Sequence, residues 1–307
     1  MFILKRVGCV GIIMVPQCTS LFVGNFSACH CLSSTKRHSP YSSVDIERYS
    51  YLVKAVMSSK RLSKQRRQSQ GPPARILLNR GKYRSLVPSV TRILQQTLSR
   101  QQIFYLERWK RKMIAQLGDE GFEEYSQNLF RQGKLFHSTV EDTLLSDATS
   151  MDKESSEKAE YQPDVQGYME SISHVLADVS AVRATESTVQ HAKLNYLGIV
   201  DCVARYRGVL CLIDWKTSEK PKPFLSNTFD NPIQVAAYAG ALNSDGNYKY
   251  QVENGLIVVA YKDGSPAHAH QLSSELMLKY WATWLLRLEN FPEQSTSEAS
   301  SSFVEKR

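Results

Sequence analysis

From residue 88 onward, apolar residues first recur at helical spacing. Pro88 and Ser89 can start a helix through Ile93, Leu94 and Leu98. Ile103, Leu106, Trp109 and Met113 continue that spacing, with Arg108, Lys110, Arg111 and Lys112 between them. Gly118 breaks the segment. Phe122, Tyr125, Leu129 and Phe130 carry an apolar face onward, and Gly133 opens a further helix through Leu135, Val140 and Leu144. Residues 145–163 are acidic and polar and read as loop. A helix over 164–178 follows, with Val165, Tyr168, Ile172, Val175 and Leu176 on its apolar face.

The period then changes. Residues 182–190, 194–206 and 209–217 alternate or run in β-branched residues, as strands do, and Arg207-Gly208 can form a tight turn between the last two. Residues 231–243 read as a helix with Pro232 in its first turn. Leu256–Tyr261 and Ala267–Leu272 form a second hairpin around Asp263-Gly264. Ser273 or Ser274 then caps a long helix with Leu276, Tyr280, Trp284 and Leu288 on one stripe.

These signals divide the chain into four parts: residues 1–40, a basic and partly disordered linker at 41–87, a folded domain at 88–292, and a Ser/Glu-rich disordered tail at 293–307. No acid occurs before Asp45, while Lys5, Arg6, Lys36 and Arg37 lie among many Ser and Thr. That start reads as a mitochondrial transit peptide, and the matrix as the destination. A secretory signal around Gly11–Val15 is the rival, disfavoured because the body lacks paired cysteines.

Charge sharpens the division. The net charge is +8, yet residues 51–112 hold 16 Lys/Arg against the single acid Glu107, and residues 113–307 hold 17 Lys/Arg against 27 Asp/Glu. A basic block ahead of an acidic body suits a polyanionic partner such as nucleic acid; a solvated basic linker is the plainer reading of residues 54–67. Of six cysteines, four lie in the first 31 residues. Cys202 and Cys211 alone cannot build a disulfide framework or a four-cysteine iron–sulfur cluster. No run of 18 apolar residues exists, so no spanning helix is expected.

The chemistry concentrates in Leu197-Gly198-Ile199-Val200-Asp201 and Leu212-Ile213-Asp214-Trp215-Lys216-Thr217. Asp214 and Lys216 are two apart, so they share one face of a strand. With Arg207-Gly208 as the turn, Asp201 falls opposite Asp214. Two facing carboxylates destabilise a bare sheet; a divalent cation such as Mg²⁺ or Mn²⁺ reverses that sign. With Lys216 beside them, the set suits phosphodiester hydrolysis. An Asp-x-Lys on an exposed strand is usually only a solvated face, but these strands are apolar enough to be buried, and buried charges need partners.

These residues resemble the RecB-like branch of the PD-(D/E)XK nucleases. The branch carries Gly-x-x-Asp, Asp-x-Lys and Gln-x-x-x-Tyr, and this chain has Gly198-Ile-Val-Asp201, Asp214-Trp-Lys216 and Gln234-Val-Ala-Ala-Tyr238 in that order. Gly133-Lys-Leu-Phe-His137, with Glu141 one turn on, matches the branch's upstream histidine element, and Pro88–Leu94 matches its helical lead-in. The likeness spans about residues 88–290.

The resemblance implies an α/β fold: a restriction-endonuclease-like core with a mixed central sheet flanked by helices, and an N-terminal helical arch or clamp. It implies Asp201, Asp214, His137 and the backbone carbonyl of Trp215 as metal ligands. Lys216 would orient or activate the attacking water. Gln234 and Tyr238 would contact DNA or support the catalytic strand, and Thr217 and Ser218 could donate hydrogen bonds to phosphate. It further implies a monomeric exonuclease for single-stranded and flap DNA in mitochondrial DNA replication and repair, with no membrane partner. Relatives in the branch often hold an iron–sulfur cluster; this chain lacks the cysteines for one. A non-catalytic DNA-binding protein on the same fold is the alternative, opposed by the intact Asp201, Asp214 and Lys216. A metal-independent RNA- or membrane-surface binder using only the basic block is a third reading.

Other residues read more plainly. His137 alone would be a core or surface histidine, and Glu186, ahead of the strand pair, could support the site but as a lone acid reads more simply as solvated. His191, His268 and His270 lack helical ligand spacing. Tyr105, Trp109, Phe122 and Tyr125 can stack on unpaired bases, but their spacing equally serves packing.

Overall fold

A computed structural model describes residues 72–77, 87–149 and 161–292. The segment expected to be a transit peptide, the greater part of the expected linker and the expected tail lie outside these residues. The elements in chain order are α1 (Val90–Gln96), α2 (Arg100–Thr149), α3 (Pro163–Leu176), β1 (Val179–His191), β2 (Tyr196–Tyr206), β3 (Val209–Ser218), a 3-10 turn (Leu225–Thr228), α4 (Asn231–Ser244), β4 (Asn254–Tyr261), β5 (His268–Leu272) and α5 (Ser274–Glu289).

Local chemistry sets the boundaries. Ser89 and Ser273 cap α1 and α5, their hydroxyls accepting from the N–H of Arg92 and Leu276. Proline stands in the first turn of α3 and of α4. Gly118 breaks α2 at φ 76, ψ 172, a conformation that glycine adopts cheaply. Gly133 opens no new helix: the α2 backbone stays helical through it, because the apolar face from Phe136 to Leu144 is buried as one continuous stripe. That helix also runs into the segment read as loop, ending at Thr149.

The sheet is mixed, in the order β1-β2-β3-β4-β5, with β3 and β4 parallel and every other pair antiparallel. The parallel pair needs a crossover, and α4 supplies it. Helices cover both faces. Phe136, Tyr168 and Ile172 from α2 and α3 pack against Ile213, Trp215 and Val258. On the other face, Val235, Ala237, Trp281 and Trp284 from α4 and α5, with Ile93 and Leu94 from α1, pack against Val200, Leu212 and Val259. The fold is thus α/β, with a five-stranded mixed sheet flanked by helices. No helix among the described residues is long and apolar enough to cross a membrane.

One departure from regular pairing positions the site. The β2–β3 ladder stops at Cys202 opposite Ile213. Beyond that point β2 stays with β1 as far as Tyr196, and β3 stays with β4 as far as Ser218. The sheet therefore forks, and the Pro88–Ser89 lead-in to α1 fills the fork. Leu197 donates its N–H to the Pro88 carbonyl, and Ser89 bridges to Leu197. Asp201 and Asp214 are the first residues past the last ladder pair.

Candidate active site

At the fork, Asp201 replaces a missing backbone partner. Its Oδ2 accepts the Trp215 N–H at 2.9 Å. The N–H and C=O of one strand residue point the same way, so the Trp215 carbonyl faces the same gap. Asp201 is only 12% exposed. Burial raises its carboxyl above the ordinary range, against the pull of His137 and Lys216.

Asp214 and Lys216 share a face of β3, as a two-residue spacing on a strand requires. Lys216 Nζ donates to Asp214 Oδ1 at 2.8 Å and lies 2.7 Å from Oδ2. Both side chains are nearly sealed, at 7% and 1% exposure. The Lys216 ammonium thus sits against both Asp214 oxygens, with Oδ2 held by the ion pair rather than by a directed hydrogen bond. Burial raises the Asp214 carboxyl, opposed by Lys216 and reinforced by Asp201.

His137 enters from α2, whose apolar stripe at Phe136 and Val140 anchors it on the sheet. Its Nδ1 lies 3.7 Å from Asp201 Oδ2 and 3.4 Å from Glu186 Oε1. Burial disfavours the charged imidazole, but Asp201 and Glu186 outweigh it and hold the ring above its ordinary value. Donor atoms of His137, Glu186 and Asp201 all lie within 4.8 Å of one another.

Glu186, for which the sequence favours a solvated acid over a support of the site, stands in its centre. Thr185 pairs with Cys202 and Ser187 with Val200, so Glu186 stands opposite Asp201. The signal was available: a turn over Ala192–Asn195 in the β1–β2 hairpin gives that register, by the argument used for Asp214. Its backbone could not be foreseen. At φ 39, Glu186 sits in a region costly for a side-chain-bearing residue inside a strand, and such strain gathers at functional sites.

A second tie fixes His137 against Glu186. Glu141, one turn along α2, accepts from the Thr185 hydroxyl at 3.2 Å and from Arg75 at 3.0 Å. Arg75 belongs to a short segment laid along β1, with Ala74 N–H donating to Arg183 and Thr185 N–H donating to Ala74.

The Gln-x-x-x-Tyr element lies behind the site. Gln234 Nε2 donates to the Tyr238 hydroxyl at 2.9 Å, and both are buried. The Tyr238 ring occupies the space that a Cβ on Gly198 would need, so the glycine of Gly-x-x-Asp and the tyrosine fit one another. Ser218 does not point a spare donor outward: its hydroxyl donates to the Lys220 carbonyl at 2.8 Å and accepts the Lys220 N–H. Thr217 is half-buried beside it. Trp109 and Phe122 pack edge to face across the Gly118 break, at 5.8 Å between centroids, while Tyr105 stays 46% exposed. Tyr125 donates its hydroxyl to Glu219, just past the end of β3.

The set can do specific chemistry. Three converging donors, with a backbone carbonyl at the fork and the Asp214 carboxylate beside them, form an acid-rich cluster that could hold a divalent cation. A lysine at the edge of such a set can steady a water or a phosphate oxygen.

Comparison with known proteins agrees. The family model of the PD-(D/E)XK nuclease superfamily matches residues 107–300. The chain is 46% identical to "Mitochondrial genome maintenance exonuclease 1" of Homo sapiens, over 86% of this chain and 86% of the relative. It is 46% identical to the protein of that name in Mus musculus, over 88% and 90%, and 43% identical to that of Xenopus tropicalis, over 87% and 89%. With the forked sheet, the acids at its crotch and relatives this similar along most of their length, the chain belongs to the PD-(D/E)XK nuclease superfamily.

Proposed function

We propose that this chain is a metal-dependent exonuclease that hydrolyses single-stranded DNA from free ends and flaps, in mitochondrial DNA replication and repair. One observation carries the reading: His137, Glu186 and Asp201 converge within 4.8 Å beside the buried Asp214–Lys216 pair. The names of the relatives support the mitochondrial setting and the attack on ends. The acid-free start supports residues 1–40 as a transit peptide to the matrix. The linker at 41–87, the nuclease domain at 88–292 and the tail at 293–307 complete the arrangement, in a chain that acts as a monomer.

In this reading Asp201, Asp214, His137 and the Trp215 carbonyl hold Mg²⁺ or Mn²⁺, with Glu186 as a further donor. The ion, when bound, lowers the pKa of a coordinated water and screens charge on the phosphate. The chain's own residues do the rest. Asp214 holds the Lys216 ammonium at 2.8 Å, so the lysine can orient the attacking water and steady the phosphate oxygen on which charge grows. Gln234 and Tyr238, buried and bonded to each other, hold α4 against Gly198 and so keep β2 in place behind Asp201. The exposed, aromatic and basic first half of α2 serves as the clamp over a single strand.

End-labelled single-stranded DNA tests the proposal. Mg²⁺ should release short products from linear strands and leave circular single strands intact, and EDTA should stop the release. Cleavage of circles at the linear rate would contradict exonuclease action, and cleavage in EDTA would contradict metal dependence.

A further inference from the structure

The loop between β3 and the 3-10 turn holds a cation that the mechanism above does not use. Lys222 is 6% exposed. Its backbone is fixed at both ends: the N–H donates to the Tyr261 hydroxyl at 2.8 Å, and the carbonyl lies 2.9 Å from His270 Nε2. Pro221 and Pro223 flank it and remove two soft dihedrals. Among the described residues no carboxylate lies within ion-pair distance of its ammonium. Glu219, the nearest acid along the sequence, is engaged by Tyr125. What faces Nζ is the ring of Phe229, 5.1 Å to the centroid, and Phe229 itself stands at φ 53, ψ −120, a strained backbone for a phenylalanine. Burial, with Lys220 nearby, pushes the amine below its ordinary value.

A cation on a side chain this enclosed, with a ring but no carboxylate beside it, is short of a counter-charge. An anion supplied from outside would provide it. Its position identifies which anion. Tyr261, which fixes Lys222, pairs with Ser218, two residues past Lys216 on the strand that carries Asp214. Two residues span roughly 7 Å of strand, so the loop carrying Lys222 is anchored beside the end of β3 that carries the Asp214–Lys216 pair. We propose that Lys222 binds a backbone phosphate of the substrate strand adjacent to the phosphate being hydrolysed, with Phe229 holding the ammonium in place. This rests on the nuclease reading above and adds a subsite to it.

The test uses the full chain carrying Lys216→Ala, so that binding is read without cleavage. Affinity for an oligothymidylate is measured across a salt series, with and without Lys222→Met. The methionine keeps the apolar stem and removes the charge. We expect about tenfold weaker binding at low salt and a salt slope shallower by about 0.7, the value of one phosphate contact on a single strand. The melting temperature should hold or rise, because an unpaired buried charge is gone. Phe224→Ala serves as the uncharged control on the same loop, at a residue 67% exposed, and should leave the slope unchanged. Unchanged affinity and slope in Lys222→Met would overturn the proposal. So would a lower melting temperature in Lys222→Met, or an equal loss of slope in Phe224→Ala, since either marks a structural role for the loop. Failure of the wild-type chain to cut DNA in Mg²⁺ would instead sink the nuclease reading.

Discussion

Two buried charged clusters in this fold are built to opposite specifications. At the junction of α1, α4 and α5, Arg287 donates to the Thr97 hydroxyl at 2.6 Å, to the Leu94 carbonyl at 2.7 Å and to Asp230 at 2.8 Å. Gln102 satisfies the other Asp230 oxygen at 2.8 Å. That network is closed: its contacts are short and both Asp230 oxygens are engaged. At the fork of the sheet, His137 meets Glu186 and Asp201 only at 3.4 and 3.7 Å, three acids lie close together, and a buried Asp214 oxygen lacks a directed partner. A charge cluster that serves stability satisfies itself. One that serves chemistry stays short of positive charge until a ligand arrives, and the fold supports it from outside.

Mutations should separate the two, beginning with the largest effect. Lys216→Ala should lower kcat on the order of 10³-fold or more while single-strand binding survives, as steady-state cleavage and a binding titration would report. Cleavage at the wild-type rate would remove the lysine from the mechanism. Arg287→Ala should leave Asp230 buried and uncompensated and cost about 3–5 kcal/mol in a urea titration. A loss below about 1 kcal/mol would mean that the closed network is ornamental. Gly198→Ala drives a methyl into the Tyr238 ring and should cost about 1–3 kcal/mol, with a fall in activity because β2 carries Asp201. Tyr125→Phe removes an exposed contact to Glu219 and should shift stability by less than about 0.5 kcal/mol.

Much of this contrast is written in local patterns. The strands around the site, the Arg207-Gly208 turn, the serine cap at Ser273 and the break at Gly118 follow from period-two alternation, turn chemistry and capping. The β2–β3 register follows from the turn, and so does the approach of Asp201 to Asp214. The fork does not, because it depends on which backbone fills the gap, and Pro88–Ser89 does so from far away in sequence. Glu186 was within reach of hairpin register, but a lone acid carries no spacing of its own. Asp230 and Arg287 are 57 residues apart and meet through the packing of helices that no local pattern relates. Lys222 lies between two prolines in a segment with no period of its own, so only the packed loop shows it enclosed.

If Asp201, His137 and Glu186 form a divalent-ion site, Mn²⁺ binding depends on Asp201. Electron paramagnetic resonance can follow Mn²⁺ on the purified chain and on Asp201→Asn. Asparagine can still accept the Trp215 N–H, so the fork should persist and the metal-free variant should melt no earlier than wild type. Mn²⁺ should bind the variant at least tenfold more weakly. Equal Mn²⁺ affinity in the two proteins, both folded, would mean that Asp201 holds no ion.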